Sequence, residues 1–453
     1  MQITLKFYVI ELSKYLIAFT MLLYTGLALI CNFSRDKKAV SVCCSLQSGV
    51  LLVLMFLSFL DLTFVSGKEE YLYLFAFITL FLFFMITIVT IIYDKADRVL
   101  LNNMCLLSGL GLCIVSRLSF SKAFRQYIIT LVSFAICLAI PFIIDRFRFF
   151  RKLLWVYAGV GIVALLLVLV NSAKVHGAHI TYSIKGFTFQ PSEIVKILFL
   201  FFIAALLYKY NDFKWIIVSA ILSGCFVIIL VLSRDLGSAL IFFVAYFMIL
   251  VMSTHNYWYL LTGIVGGALA SIVAYNLFDH VKVRVVAFLD PWTYIDDQAY
   301  QITQSLFAIS SGGWFGAGLM QGRPWDIPYV DQDLIFSALC EEFGLIFAIC
   351  VLIICLCCFY RMMMISARCG DKFYQIVVYG IGVMYIFQVF LTVGGGIKFI
   401  PLTGVTLPFL SYGGSSVLST YIMFFIVQGI YIKSLKYEKL LDEKNKKTDT
   451  KVY

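Results

Sequence analysis

Charge is what this sequence has least of: 13% of its 453 residues are Asp, Glu, Lys or Arg, against roughly 25% in soluble domains. With 62% hydrophobic residues, an ordinary soluble enzyme is excluded. The alternating pattern of a barrel strand is also missing. The apolar residues come instead in unbroken runs of about 20, the length a helix needs to cross a bilayer. Only a helix or a closed barrel satisfies its backbone hydrogen bonds in hydrocarbon, so the fold class is an all-α, polytopic helical bundle. The net charge of +10 is no sign of nucleic-acid binding, because most basic residues sit in short clusters between the apolar runs.

Other absences narrow the chemistry. The 13 cysteines form no disulfide framework, since each falls within an apolar run or near a cytoplasmic end. Cys43 with Cys44, and Cys355 with Cys358, have no His nearby, and are packing residues rather than metal ligands. His176 and His179 lack a third ligand and read as loop residues. No clear cleavage site follows the first apolar run, which carries Glu11 and Lys14, so it is a span and not a signal peptide. Gly109-Leu110-Gly111 lies inside a span and points to close helix packing rather than to nucleotide binding.

What is present is a series of thirteen apolar runs, near 8–32, 46–66, 71–93, 100–118, 126–145, 153–171, 193–208, 215–232, 236–252, 256–278, 334–360, 374–396 and 410–433. With thirteen spans, the basic clusters at 35–38, 146–152, 361–372 and after 432 share one side. The positive-inside rule makes that side cytoplasmic, with the N-terminus outside and the C-terminus inside. Arg117, Lys122 and Arg125 then fall in an outward loop, against the rule. The tail, 434–453, carries both charge signs and reads as a frayed helix followed by disorder, chiefly a topology signal.

The outward loops hold the candidate chemistry. The longest, 279–333, is far longer than a connector needs; shorter ones cover 171–190 and 394–408. Gln190-Pro191-Ser192-Glu193 opens a helix, with Lys196 on the same face as Glu193; this is a sound helix start with an ion pair, or a functional pair inside an apolar run. Asp235 begins a span and suits an N-cap. Asp333 stands where the long loop enters an apolar helix. Partial burial there would raise its pKa toward the range of a general base, although an N-cap fits its position equally well. Glu341 projects about 80° round the helix from Asp333, and Glu342 nearly opposite, at about 100° per residue.

Together these strings resemble the shape, elongation, division and sporulation (SEDS) family typified by RodA, FtsW and SpoVE. They are Gln190-Pro191-Ser192-Glu193 with Lys196, Asp235-Leu236-Gly237, Arg284 before Phe288-Leu289-Asp290-Pro291, Tyr300-Gln301, Gln304-Ser305, Ser311-Gly312-Gly313, and Asp333 with Glu341-Glu342-Phe343-Gly344. The longest is the run from Pro401-Leu402-Thr403-Gly404 to Ser411-Tyr412-Gly413-Gly414-Ser415-Ser416. The match spans about Leu101 to Ile432 in the family's order.

The resemblance implies a ten-helix core, here 99–433, preceded by about three extra N-terminal helices in 1–98 and followed by the tail. It implies a peptidoglycan glycosyltransferase of the bacterial cytoplasmic membrane that polymerises lipid II at the outer face during elongation, division or sporulation. Asp333 takes the place of the catalytic aspartate. The substrate-binding positions are Arg284, Glu193, Lys196, Asp235, Gln301, Ser305, Lys398 and Ser411. A class B penicillin-binding protein is the implied transpeptidase partner, because the chain has no soluble domain with a Ser-x-x-Lys nucleophile. A divalent cation, Mg or Mn, could share the pyrophosphate charge, with no ligands assigned. Departures from the family pattern are Tyr329, Asp331-Gln332, Arg234 and Lys398. Two other readings stay open: a flippase or transporter of a lipid-linked precursor, for which no repeated halves are visible, and a non-catalytic scaffold.

Overall fold

A computed structural model describes residues 2–147, 149–171, 173–175, 178–184, 187–210 and 212–449. Its helices are α1 (Gln2–Phe33), α2 (Lys37–Ser66), α3 (Glu70–Ile92), α4 (Arg98–Leu118), α5 (Phe120–Cys137), α6 (Ile140–Arg146), α7 (Leu154–Asn171) and α8 (Pro191–Leu207). They continue as α9 (Phe213–Leu232), α10 (Leu236–Thr254), α11 (Trp258–Leu277), α12 (Asp279–Leu289), α13 (Tyr300–Gly312), α14 (Ile335–Arg368), α15 (Lys372–Gly396) and α16 (Gly414–Asp449). Each of the thirteen apolar runs falls on helix, and among the described residues eleven helical segments are long and apolar enough to cross a membrane. The two remaining runs form α7 and α8. One span, Phe120–Arg146, is broken between α5 and α6, where Pro141 stands in the first turn of α6.

Two stretches add detail to the all-α reading. In the outward loop after α7, β1 (Ala173–Val175), β2 (Ala178–Ile184) and β3 (Phe187–Phe189) pair in order as a small antiparallel sheet. The helix α16 continues to Asp449, through most of the tail read as a frayed helix followed by disorder. His176 lies outside the described residues.

Helix α4 is enclosed along its whole apolar window and packs on α2, α3, α5 and α14. Because lipid is as apolar as Leu, such contact rests on close packing rather than on water exclusion. Gly111 shows how close: a Cβ there would fall 2.2 Å from the Phe409 carbonyl oxygen. By contrast α11 is nearly bare on all sides and marks the rim.

The basic clusters do gather at one end. Phe33 meets Tyr360 with ring centroids 5.1 Å apart, Arg361 pairs with Asp97 at 2.6 Å, Arg151 pairs with Asp371, and Lys433 donates to Ile144 O at 2.6 Å. At the other end, two of the three basic residues that broke the charge rule are neutralised locally. Arg117 is buried against Glu342 at 2.8 Å and lies over the Trp325 ring, and Lys122 pairs with Asp331 at 2.7 Å.

The long outward loop is mostly structured. It folds into α12 and α13, then re-enters the bundle through the glycine-rich turn after α13, which meets a break in α14 at Gly344 (φ 85, ψ 171). The break frees backbone groups that the turn satisfies. Ala317 and Gly318 N–H donate to the Glu341 and Glu342 carbonyls at 2.9 and 3.1 Å, while Leu345 and Ile346 N–H donate to Gly313 and Trp314 at 2.9 and 3.1 Å. Irregular backbone at this depth is tolerable only when paired in this way.

Candidate active site

At the end opposite the basic clusters, the residues just before α8 and α10, the helices α12 and α13, the turns before α14 and the loop between α15 and α16 line a cavity of about 730 Å³. Asp333, Arg284, Asp235 and Gln301 line it, as expected from sequence. So do His280, Asp297, Gln298, Tyr329, Gln332 and Thr403, of which His280, Asp297 and Gln298 belong to none of the matching strings. His280 carries one usable signal: it lies four residues before Arg284, on the same face of α12.

Asp333 is half-buried, and burial holds its carboxyl up at about 6, partly offset by its own backbone N–H and by the Arg284 charge. A carboxyl there is a base near neutral pH. The segment carrying it is fixed from the next loop. Tyr412 N–H donates to Asp331 O at 2.7 Å, and the Ser411 hydroxyl, which accepts from Leu407 N–H at 2.8 Å, donates to Gln332 O.

Arg284 is half-buried, and among the described residues no carboxylate lies within ion-pair distance of it. Burial pulls its pKa down, opposed by the more distant charges of Asp333 and Asp235. Its Nη2 stands 3.6 Å from where a Cβ on Gly404 would be, so the loop backbone backs the guanidinium. A planar cation held in a cavity without a partner is suited to phosphate oxygens. His280 beside it is pushed down by burial first and then by Arg284 and Arg234, which keeps the imidazole neutral at pH 7.

Asp235 both caps a helix and faces the cavity. Its carboxylate accepts from Ser238 N–H at 3.1 Å, from the Ser192 hydroxyl at 3.0 Å and from Gln190 Nε2 at 3.0 Å, locking the start of α10 to the start of α8.

Five expected substrate contacts do not line the cavity. Glu193 and Lys196 form a buried ion pair at 2.6 Å, closed by Ser419 (2.6 Å) and Gln388 (3.1 Å). Gln388 in turn donates to Thr406 O at 2.9 Å, so the pair braces the cavity loop from behind. Ser305 is fully buried, its hydroxyl engaged with Ser337 (2.5 Å) and Gly396 O (2.7 Å). Ser411 positions Gln332, as above. Lys398, at φ 57, closes the end of α15 by donating its N–H to Gly395 O at 3.3 Å. Glu341 lies apart from the cavity too, accepting from Arg323 N–H at 2.7 Å.

No group of three or more His, Cys, Asp or Glu that could hold a metal occurs among the described residues. Asp235, Asp297 and Asp333 share the cavity wall without forming a cluster. The donor set does not fit a metal held by protein ligands alone.

A family model described as FtsW/RodA/SpoVE, cell cycle protein, matches residues 113–435. The chain is 31% identical over 367 residues to the peptidoglycan glycosyltransferase RodA of Mycobacterium tuberculosis, covering 74% of this chain and 77% of that protein. It is 34% identical over 261 residues to the probable peptidoglycan glycosyltransferase FtsW of Saccharophagus degradans, covering 54% and 66%. In fold it is similar to a chain of a solved peptidoglycan synthase complex described as coordinating polymerization and crosslinking. The TM-score there is 0.63 at 24% identity, covering 74% of this chain and 97% of that one.

Proposed function

The chain belongs to the FtsW/RodA/SpoVE family of cell cycle proteins, and from that premise we propose that it is a peptidoglycan glycosyltransferase that polymerises lipid II on the outer face of the bacterial cytoplasmic membrane. One observation carries the reading: a carboxyl held above its ordinary pKa, Asp333, and a guanidinium with no ion-pair partner among the described residues, Arg284, share one cavity at the end away from the basic clusters. Glycan growth needs that combination. A sugar hydroxyl forms a bond to an anomeric carbon, the bond from that carbon to the pyrophosphate oxygen breaks, and the lipid pyrophosphate leaves with the electron pair.

Asp333 takes the hydroxyl proton as the new bond forms. Arg284 offers two parallel N–H donors to the pyrophosphate, where negative charge develops. Neutral His280 and the amides of Gln298, Gln301 and Gln332 supply hydrogen bonds for sugar hydroxyls. A divalent cation would have to arrive with the pyrophosphate, which fits Mg²⁺, since it keeps few protein ligands. The partner we propose is a single-span transpeptidase of the class B penicillin-binding type, in line with the crosslinking half of the similar complex.

The test is incubation of the purified chain with labelled lipid II, with and without a co-purified transpeptidase. Glycan polymer supports the reading. Transfer of lipid II across a vesicle membrane without polymer would replace it with a flippase, and neither product under any partner or cation condition would replace it with a scaffold.

A further inference from the structure

At the basic end lies a second cavity of about 1010 Å³, between the start of α7, the end of α8, the turn joining α14 to α15, and α16. Helix α8 runs from one cavity to the other, with Gln190 before its first turn in the outer wall and Ala205 near its last in the inner. Arg151, Lys152, Lys209, Lys372 and Lys433 line the inner cavity, against one carboxylate, Asp371. Asp371 is already paired with Arg151. Five cations against one carboxylate leave this concave surface net positive, and such an arrangement lowers its energy by taking an anion.

The wall is built rather than loosely charged. The Arg151 guanidinium lies near the rings of Tyr208 and Tyr374, at 5.5 and 5.7 Å, and its Nε, shielded from solvent, meets no acceptor among the described residues. Lys433 sits over the Tyr374 ring at 4.6 Å and donates to its hydroxyl at 3.0 Å. Lys152, Lys209 and Lys372 are exposed around this fixed pair.

The remaining lining says which anion. Leu154, Ala205 and Ile430 make part of the wall apolar, and Trp155 is exposed at its edge, as aromatic residues are at the headgroup level of a bilayer. Since the basic clusters put this end at the cytoplasmic leaflet, the cavity opens where anionic headgroups are held. We propose that it binds the phosphate of an anionic phospholipid from the inner leaflet, with the lysines and Arg151 on the phosphate and the apolar wall beside the acyl chains. This is separate from the outer cavity and does not depend on the polymerase reading.

The test is binding of fluorescent phosphatidylglycerol to the full-length protein in neutral detergent. Wild type is expected to bind it in preference to phosphatidylcholine, and the Lys152→Gln/Lys209→Gln/Lys372→Gln variant to lose roughly tenfold to hundredfold in affinity. Arginine at the same three positions is expected to keep binding, which separates lost charge from lost fold. Lys37→Gln/Lys38→Gln, exposed at the same end, is expected to bind as wild type does. Equal loss in that control would overturn the proposal in favour of diffuse surface charge, and equal competition by phosphatidylcholine would overturn the headgroup assignment. Displacement by millimolar inorganic phosphate would overturn the lipid source and leave a site for soluble phosphate.

Discussion

Asp333 shows the cost of placing a base in a cavity wall. Its carboxyl is held at about 6 against an ordinary 3.8, chiefly by burial, so the folded chain binds that proton more tightly than the unfolded chain does. The stability this gives is complete below about 3.8 and is lost as pH rises through about 6. At pH 7.5 the ionised group therefore costs the fold up to about 3 kcal/mol, less what cavity water returns to it. Asp333→Asn is expected to unfold at a higher temperature than wild type at pH 7.5, with a gain that shrinks toward pH 5. A lower unfolding temperature at both pH values would contradict this.

For Arg284 the geometry matters as well as the charge. Arg284→Lys keeps the cation but loses the paired donors, and is expected to lower kcat/KM for lipid II by roughly tenfold to a hundredfold, about 1–3 kcal/mol. An unchanged kcat/KM in the lysine variant would mean that Arg284 acts only as a point charge. The sequence exposed the residues that carry formal chemistry but not which way each side chain faces. Glu193, Lys196, Ser305 and Ser411 stand in the matching strings and Lys398 shortly before the last of them, yet they brace backbone behind the wall. The helices around them are apolar on most sides, so no polar stripe marks the face that meets the cavity.

Among the elements, the broken α14 is the least tolerant. Gly344 holds φ 85 with ψ 171, a region essentially closed to side chains, and a Cβ there would sit 2.3 Å from Gly316 N. Gly344→Ala is expected to destabilise the protein by about 2 kcal/mol or more, read as a fall in unfolding temperature. Beside it, the buried Arg117–Glu342 pair should behave as such pairs do: losing one partner leaves a charge in the interior, at about 3–5 kcal/mol. Glu342→Gln alone is therefore expected to destabilise more than Arg117→Gln/Glu342→Gln together, in thermal unfolding. The helices themselves were legible because long apolar runs leave no other state. The break at Gly344 and the small sheet at 173–189 were not, since both depend on backbone partners distant in sequence or on a short irregular loop.

For the whole molecule, the chain is a multi-pass protein of the bacterial cytoplasmic membrane, and charge placement sets its orientation. Arg117 and Lys122, which argued against that orientation in the sequence, are matched by Glu342 and Asp331 once folded. A cysteine placed at Trp292 should react with a membrane-impermeant thiol reagent on intact cells, and one at Lys38 should not; the reverse result would invert the topology.

The most direct test of the central claim is the rate of glycan polymerisation on labelled lipid II, measured from pH 5 to 8 with wild type and folded Asp333→Asn. The predicted result is a wild-type rate that falls as pH drops through about 6, as Asp333 gains its proton, and an Asn variant slower by roughly a hundredfold or more at every pH. An Asn variant that polymerises at the wild-type rate would remove Asp333 as the base and with it the account of this cavity.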